Sequence, residues 1–80
     1  MTRLTLVSRQ YCHLCHEMEA ALARLSFELG FSVDILDVDA DADLEARFNE
    51  LVPVLLHNGN ELCHHFLDLA KVRDYLGEIL

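Results

Sequence analysis

The sequence predicts an α/β domain: a mixed four-stranded sheet with helices on both faces, its elements in the order βαβαββα. Three observations predict it. A helical stripe (Leu14, Met18, Ala21, Leu22, Leu25, Leu29) follows directly on a short apolar run, Leu4-Thr5-Leu6-Val7, so a strand gives way to a helix. A second run rich in β-branched residues and a second, shorter helical pattern come next. Asn58-Gly59 then separates two apolar runs as a strong two-residue hairpin signal. A parallel βαβ unit followed by an antiparallel hairpin fits one mixed sheet, and the right-handed crossover rule fixes the hand of the first unit.

The first strand is expected from Leu4 to about Val7. The first helix runs from about Cys12 to Leu29, with Gly30 placed to take the left-handed conformation that ends it. The second strand covers about Ser32 to Val38, where Val33, Ile35 and Val38 supply β-branched side chains. A short helix follows the Asp39–Asp43 cluster, with Asp41 or Asp43 as its N-cap and Leu44, Phe48 and Leu51 as its buried edge. Pro53 opens the third strand, Val54-Leu55-Leu56-His57, at a position where its missing N–H breaks no ladder bond. The return strand is Asn60 to about His64. Asp68 caps the last helix, whose stripe is Leu69, Val72, Leu76, Ile79 and Leu80.

Eighty residues with no internal repeat, linker or low-complexity tract make one domain spanning 1–80. Burial in so short a chain is limited to roughly 60% of the unfolded surface. With no Trp and 8% aromatics, the core must be aliphatic. Fourteen acidic against six basic residues give a net charge of −8, which argues against nucleic acid, where a basic patch supplies most of the affinity. It argues equally against an anionic membrane surface. Met1-Thr2-Arg3 does not begin a basic-then-apolar leader, and the apolar runs fall short of a membrane span, so a cytoplasmic location is expected. There, three cysteines point to catalytic or metal chemistry rather than to a disulfide framework.

Cys12-His13-Leu14-Cys15 carries that chemistry. A Cys-x-x-Cys pair at a strand-to-helix junction is the sign of a dithiol redox site. A helix N-terminus offers unpaired N–H groups and a partial positive charge, and both favour the thiolate, the reactive form of cysteine. Cys12 is the expected nucleophile. Cys15, one turn on, is the expected resolving thiol that closes the disulfide. Zinc ligation by the pair is the competing reading.

These residues resemble the thioredoxin superfamily, and within it the glutaredoxin-like branch, over almost the whole chain. The resemblance rests on element order, on Cys12-x-x-Cys15 after the first strand, on Val52-Pro53 opening the third, and on Asn58-Gly59 at the hairpin. Ser8-Arg9-Gln10-Tyr11-Cys12 is similar to the Ser-Lys-x-x-Cys lead-in of glutaredoxins, with Arg9 replacing the lysine. The resemblance implies a thiol–disulfide oxidoreductase needing no cofactor. It implies a cis Val52–Pro53 bond beside the dithiol, with the Val52 backbone N–H and C=O free to pair with an extended substrate. Arg9 is then placed to stabilise the thiolate or to hold a substrate carboxylate. The substrate-binding set is Arg9, Val52 and Pro53, and the substrate is a protein or low-molecular-weight disulfide.

The departures from the pattern carry expectations too. His13-Leu14 replaces the Pro-Tyr of glutaredoxins, and Leu51-Val52-Pro53 their Thr-Val-Pro. Cys63-His64 stands where they carry a glycine pair, followed by His65-Phe66 instead of the polar–acidic pair that holds glutathione. A Cβ at a glycine position crowds a closely approaching ligand, so glutathione is expected to bind weakly or not at all in the usual pose. Leu6 occupies the position of the buried acid of thioredoxins.

Three further features have bland as well as chemical readings. His13 and His16, if charged, lower the Cys12 pKa; as exposed first-turn residues they do nothing. Cys63-His64-His65 completes a zinc site with the dithiol, or is a strand with Leu62 inward and the others outward, or holds a spare thiol. The 47 residues between Cys15 and Cys63 do not match a zinc-ribbon spacing, and no metal ligand is assigned. Asp37-Val-Asp39-Ala-Asp41-Ala-Asp43 fails as a calcium loop, because position six is Ala42 and position twelve Phe48; it reads as a solvated loop leading into a capped helix. The alternative to an enzyme is a non-enzymatic module on the same fold that binds a metal ion or a protein partner. Composition and spacing leave the oligomeric state open.

Overall fold

The computed structural model describes residues 2–80. Its elements are β1 (Arg3–Ser8), α1 (His13–Leu29), β2 (Ser32–Asp37), a 3₁₀ turn (Val38–Ala40), α2 (Ala42–Phe48), β3 (Val54–His57), β4 (Asn60–His64) and α3 (Leu69–Ile79). They form one mixed sheet in the order β2-β1-β3-β4. β1 runs parallel to β2 and antiparallel to β3, and β3 runs antiparallel to β4. None of the helices of the described residues is long and apolar enough to cross a membrane.

Alternation along the two inner strands divides the apolar side chains between two clusters. Leu4, Leu6 and Leu55 join Met18, Leu22 and Leu25 of α1 and Val72 and Leu76 of α3 in the larger cluster. Val7, Val54 and Leu56 join Val38, Phe48 and Val52 in the smaller one, on the side of α2. Each fully buried Leu or Val contributes about 1.5–3 kcal/mol of transfer free energy, so β1 and β3, buried on both faces, anchor the domain.

The helix ends follow the sequence chemistry. Cys12 is the N-cap of α1 with extended backbone (φ −123°), and Gly30 closes the helix at φ 78° with its N–H on the Ser26 carbonyl. Asp41 caps α2, accepting from the N–H groups of Asp43 and Leu44. Asp68 caps α3, accepting from Lys71 N–H. Asn58 (φ 53°) and Gly59 (φ 82°) are both left-handed, the requirement of a type I′ hairpin turn.

Four expectations are corrected. β2 stops at Asp37, and Val38 begins the 3₁₀ turn instead; the Asp37 carboxylate accepts the Asp39 N–H and so bends the chain out of the strand. The aspartate-rich segment is therefore partly ordered. On α3 only Val72 and Leu76 are buried, while Leu69, Ile79 and Leu80 are exposed, because the helix meets the sheet along a narrower seam than its stripe suggests. On β4 both Leu62 and Cys63 are buried. A register shift opposite Leu55/Leu56 inserts one extra residue, so two successive side chains turn inward.

Candidate active site

The loop between β1 and α1 brings Cys12 to the start of the helix. The two cysteines are joined as a disulfide with their Cα atoms 5.1 Å apart. Cys12 is half-buried at the N-cap and Cys15 is completely buried one turn on, so Cys12 presents the reachable sulfur. That sulfur accepts the backbone N–H of Cys15 at 3.1 Å. A helix N–H without a backbone partner thus meets the Cys12 sulfur, a contact that favours negative charge on that atom. Tyr11, next to it, is 92% exposed.

The cis Val52–Pro53 bond lies at the entry to β3. Val52 sits in the same apolar cluster as Cys15, against which Cys12 also packs. The Val52 N–H, however, is not free: it donates to the Phe48 carbonyl at the end of α2, at 3.2 Å. Among the described residues no hydrogen bond uses the Val52 carbonyl, which leaves one backbone group, not two, for an extended substrate. The Pro53 carbonyl accepts the His65 N–H at 2.9 Å.

Arg9 points away from a free role. Its guanidinium grips Asp39 through two bonds, Nε to Oδ2 at 3.0 Å and Nη2 to Oδ1 at 2.9 Å. It also donates to the backbone carbonyl of Asn49 at 3.3 Å and to the Asn49 side-chain oxygen. The hydrogen bond from Arg9 holds the Asp39 carboxyl below its ordinary range, and the same bond raises Arg9. Arg9 therefore binds the loop before the dithiol to the 3₁₀ turn and to the end of α2. His13 pairs with Glu17, one turn along α1, at 2.9 Å. His16 is exposed and faces a hollow shared with Ser8, Gln10 and Glu19.

Beyond β4 the chain makes a tight turn. Phe66 N–H donates to the His64 carbonyl at 2.7 Å, and His65 between them takes the left-handed conformation, φ 64°. The residue that a glycine would serve here is therefore His65, one place after Cys63-His64. Its ring Nε2 donates to the Glu50 carbonyl at 2.8 Å. Cys63 pairs with Leu55 and faces the larger cluster, whereas the dithiol belongs to the smaller one. Burial pushes the Cys63 thiol up. No three His, Cys, Asp or Glu residues gather as a metal site among the described residues, so the zinc reading finds no third ligand there.

Two partners escaped the sequence reading. Glu19 accepts the hydroxyl of Ser8, the buried polar residue at the end of β1, at 3.2 Å, and Asn49 completes the Arg9 clamp. Glu19 had a signal in its place one turn after Cys15 on the same helix face; Asn49, forty positions from Arg9, had none.

A family model described as "Glutaredoxin-like domain (DUF836)" matches residues 3–77. The chain is 34% identical over 76 residues to the uncharacterized protein Rv0508 of Mycobacterium tuberculosis, a match covering 89% of this chain and 78% of that one. Among solved structures, protein Ne2328 from Nitrosomonas europaea is 37% identical with a TM-score of 0.83, over 92% of this chain and 89% of that one. The solution structure of XcR50 from X. campestris is 34% identical with a TM-score of 0.73, over 98% and 95%. Thioredoxin O1 from Arabidopsis thaliana, in its oxidized state, is 14% identical with a TM-score of 0.62, covering 98% of this chain and 77% of its own, and shares the fold.

Proposed function

The chain belongs to the glutaredoxin-like family on the thioredoxin-like fold, and from there we propose that it is a thiol–disulfide oxidoreductase acting through Cys12 and Cys15. The observation that carries this is the partly buried Cys12 at the helix N-cap, its sulfur receiving a backbone N–H, beside a fully buried Cys15. In the reduced protein the Cys12 thiolate attacks one sulfur of a substrate disulfide. The other substrate sulfur leaves as a thiolate and takes up a proton. Cys15, deprotonated, then attacks the Cys12 sulfur of the mixed disulfide, expelling the second substrate thiol and leaving the Cys12–Cys15 bridge. A cytoplasmic thiol reductant returns the pair to its starting state. Protein or low-molecular-weight disulfides are the substrates, bound across Val52 and Pro53. Glutathione in the usual glutaredoxin pose is disfavoured by the side chains of His64 and the left-handed His65 and by an Arg9 already committed to Asp39.

Cys12→Ser is expected to abolish turnover of a small disulfide coupled to a dithiol reductant. Cys15→Ser is expected to accumulate a mixed disulfide visible by mass spectrometry. Wild-type turnover by Cys15→Ser with a dithiol-dependent substrate would overturn the division of roles. The occupied Val52 N–H favours a second reading, a binding module without turnover. A Cys12 thiol titrating near about 8.5 in the absence of the other two cysteines selects that second reading.

A further inference from the structure

β2 and β4 are the two edges of the sheet, and the outer edge of β2 borders a groove. β2 pairs with β1 alone, so it is an edge strand with one side of its backbone unpaired. It nevertheless exposes Ile35 (54%) and Leu36 (41%). Beside it run two hollows of about 290 and 360 Å³, and Glu19 and Ile35 line both, which makes them one groove between α1 and β2. The groove opens at Arg9, Gln10 and His16, the residues that flank Cys12 and Cys15 in sequence, and extends down to Val33 and Ser26. From Asp37 to Val33 it follows four strand steps, about 13 Å, the length of a short extended peptide.

The charges of the groove select its occupant. Asp34 at this edge is paired with Arg3, and Asp39 with Arg9. Glu19 and Asp37 have no basic partner among the described residues: Glu19 accepts from the Ser8 hydroxyl and Asp37 from a backbone N–H. Arg9 also lines the groove and interacts electrostatically with Asp37, but its guanidinium is held by Asp39, so with Glu19 the groove has apolar walls and a negative balance of charge, on a chain of net charge −8. A second copy of this chain would set these acids against their own kind. We propose that the β2 edge is a docking surface for an extended, basic and apolar segment of a disulfide-bearing polypeptide, which adds to the sheet at β2 and directs a lysine or arginine to Glu19 and Asp37. The inference rests on the oxidoreductase reading for what the docked segment undergoes, and names the substrate class.

Two measurements separate the inference from that reading. A cysteine-free peptide with apolar residues flanked by lysines is titrated into isotopically labelled protein, against the same peptide flanked by glutamates. Amide shifts confined to Val33–Asp37, His16 and Glu19, seen with the lysine peptide only, are expected. Shifts elsewhere, equal shifts with both peptides, or none with either would overturn the docking site whatever the enzyme does. Versions of the two peptides that each carry one cysteine, held as a mixed disulfide with a small thiol, are then reduced by the dithiol protein under single-turnover conditions. An advantage of about tenfold for the lysine form is expected at low salt, shrinking at high salt and in Glu19→Gln/Asp37→Asn. Equal rates at low salt overturn the inference. Should even a small neutral disulfide remain unreduced, the oxidoreductase reading fails, and the titration alone decides the docking surface. A dimer in sedimentation that dissociates on Leu36→Lys assigns the edge to a second copy and overturns the basic partner.

Discussion

Arg9 holds three things at once: Asp39, the Asn49 backbone and the Asn49 side chain. Its position three residues before Cys12 made it a candidate for the substrate or the thiolate, and nothing in the local sequence announces partners 30 and 40 positions away. Contacts of that range are decided by how β1, the 3₁₀ turn and α2 come together, so a single-residue reading misses them. The link has a defined pH dependence. Asp39 binds its proton less readily folded than unfolded, since Arg9 holds its pKa below the ordinary 3.8. The link therefore contributes fully above that value and is lost as the pH falls through the lowered folded value. Asp39→Asn should melt below the wild type at neutral pH, with the gap closing on acidification below the ordinary aspartate range; thermal melts across that range test it. Cys63 gives the second expectation at this scale. Its burial favours the neutral thiol, and the thiolate is the species that alkylates. In the reduced native protein, timed alkylation with peptide mapping should label Cys12 ahead of the buried Cys15 and Cys63; labelling of Cys63 before Cys12 would contradict its placement in the core.

Among the elements, those with two agreeing signals were legible. β3 and β4 fall where Pro53 and Asn58-Gly59 place them, and α1 lies between its cysteine N-cap and Gly30. Two devices broke the rules of period and could not be seen. The extra residue on β4 shifts the alternation, so Cys63, expected outside or beside the dithiol, lies inside among Leu55, Val72 and Leu76. The 3₁₀ turn replaces the end of β2 through an aspartate side chain competing for a backbone N–H; an Asp-x-Asp pattern was its available signal. Of the site, the dithiol and the cis proline were legible because each is a motif, whereas the bond taken by Val52 N–H depends on where α2 ends. α2 is short, seven residues, and too short to be stable alone. Its cap is correspondingly important: Asp41→Ala leaves two N–H groups without their side-chain acceptor and should cost about 1 kcal/mol in urea unfolding.

At the scale of the whole molecule, the end of α2 is gripped from two directions: Arg9 reaches Asn49 from the loop before the dithiol, and His65 reaches Glu50 from the turn after β4. Both partners use carbonyl oxygens, and Asn49 and Glu50 are themselves exposed. The sheet, meanwhile, places β3 between β1 and β4, so the two halves of the chain interlock through the β1–β3 pairing rather than meeting end to end. The strand pairing is therefore expected to hold the two halves together without the covalent bond at that junction. A chain nicked once after Glu50 by a glutamate-specific protease should stay together as a two-piece particle on gel filtration under native conditions. Its melting temperature should then rise with protein concentration, as for any bimolecular assembly. Separation of the pieces without denaturant would show that the peptide bond, and not the strand pairing, joins the halves.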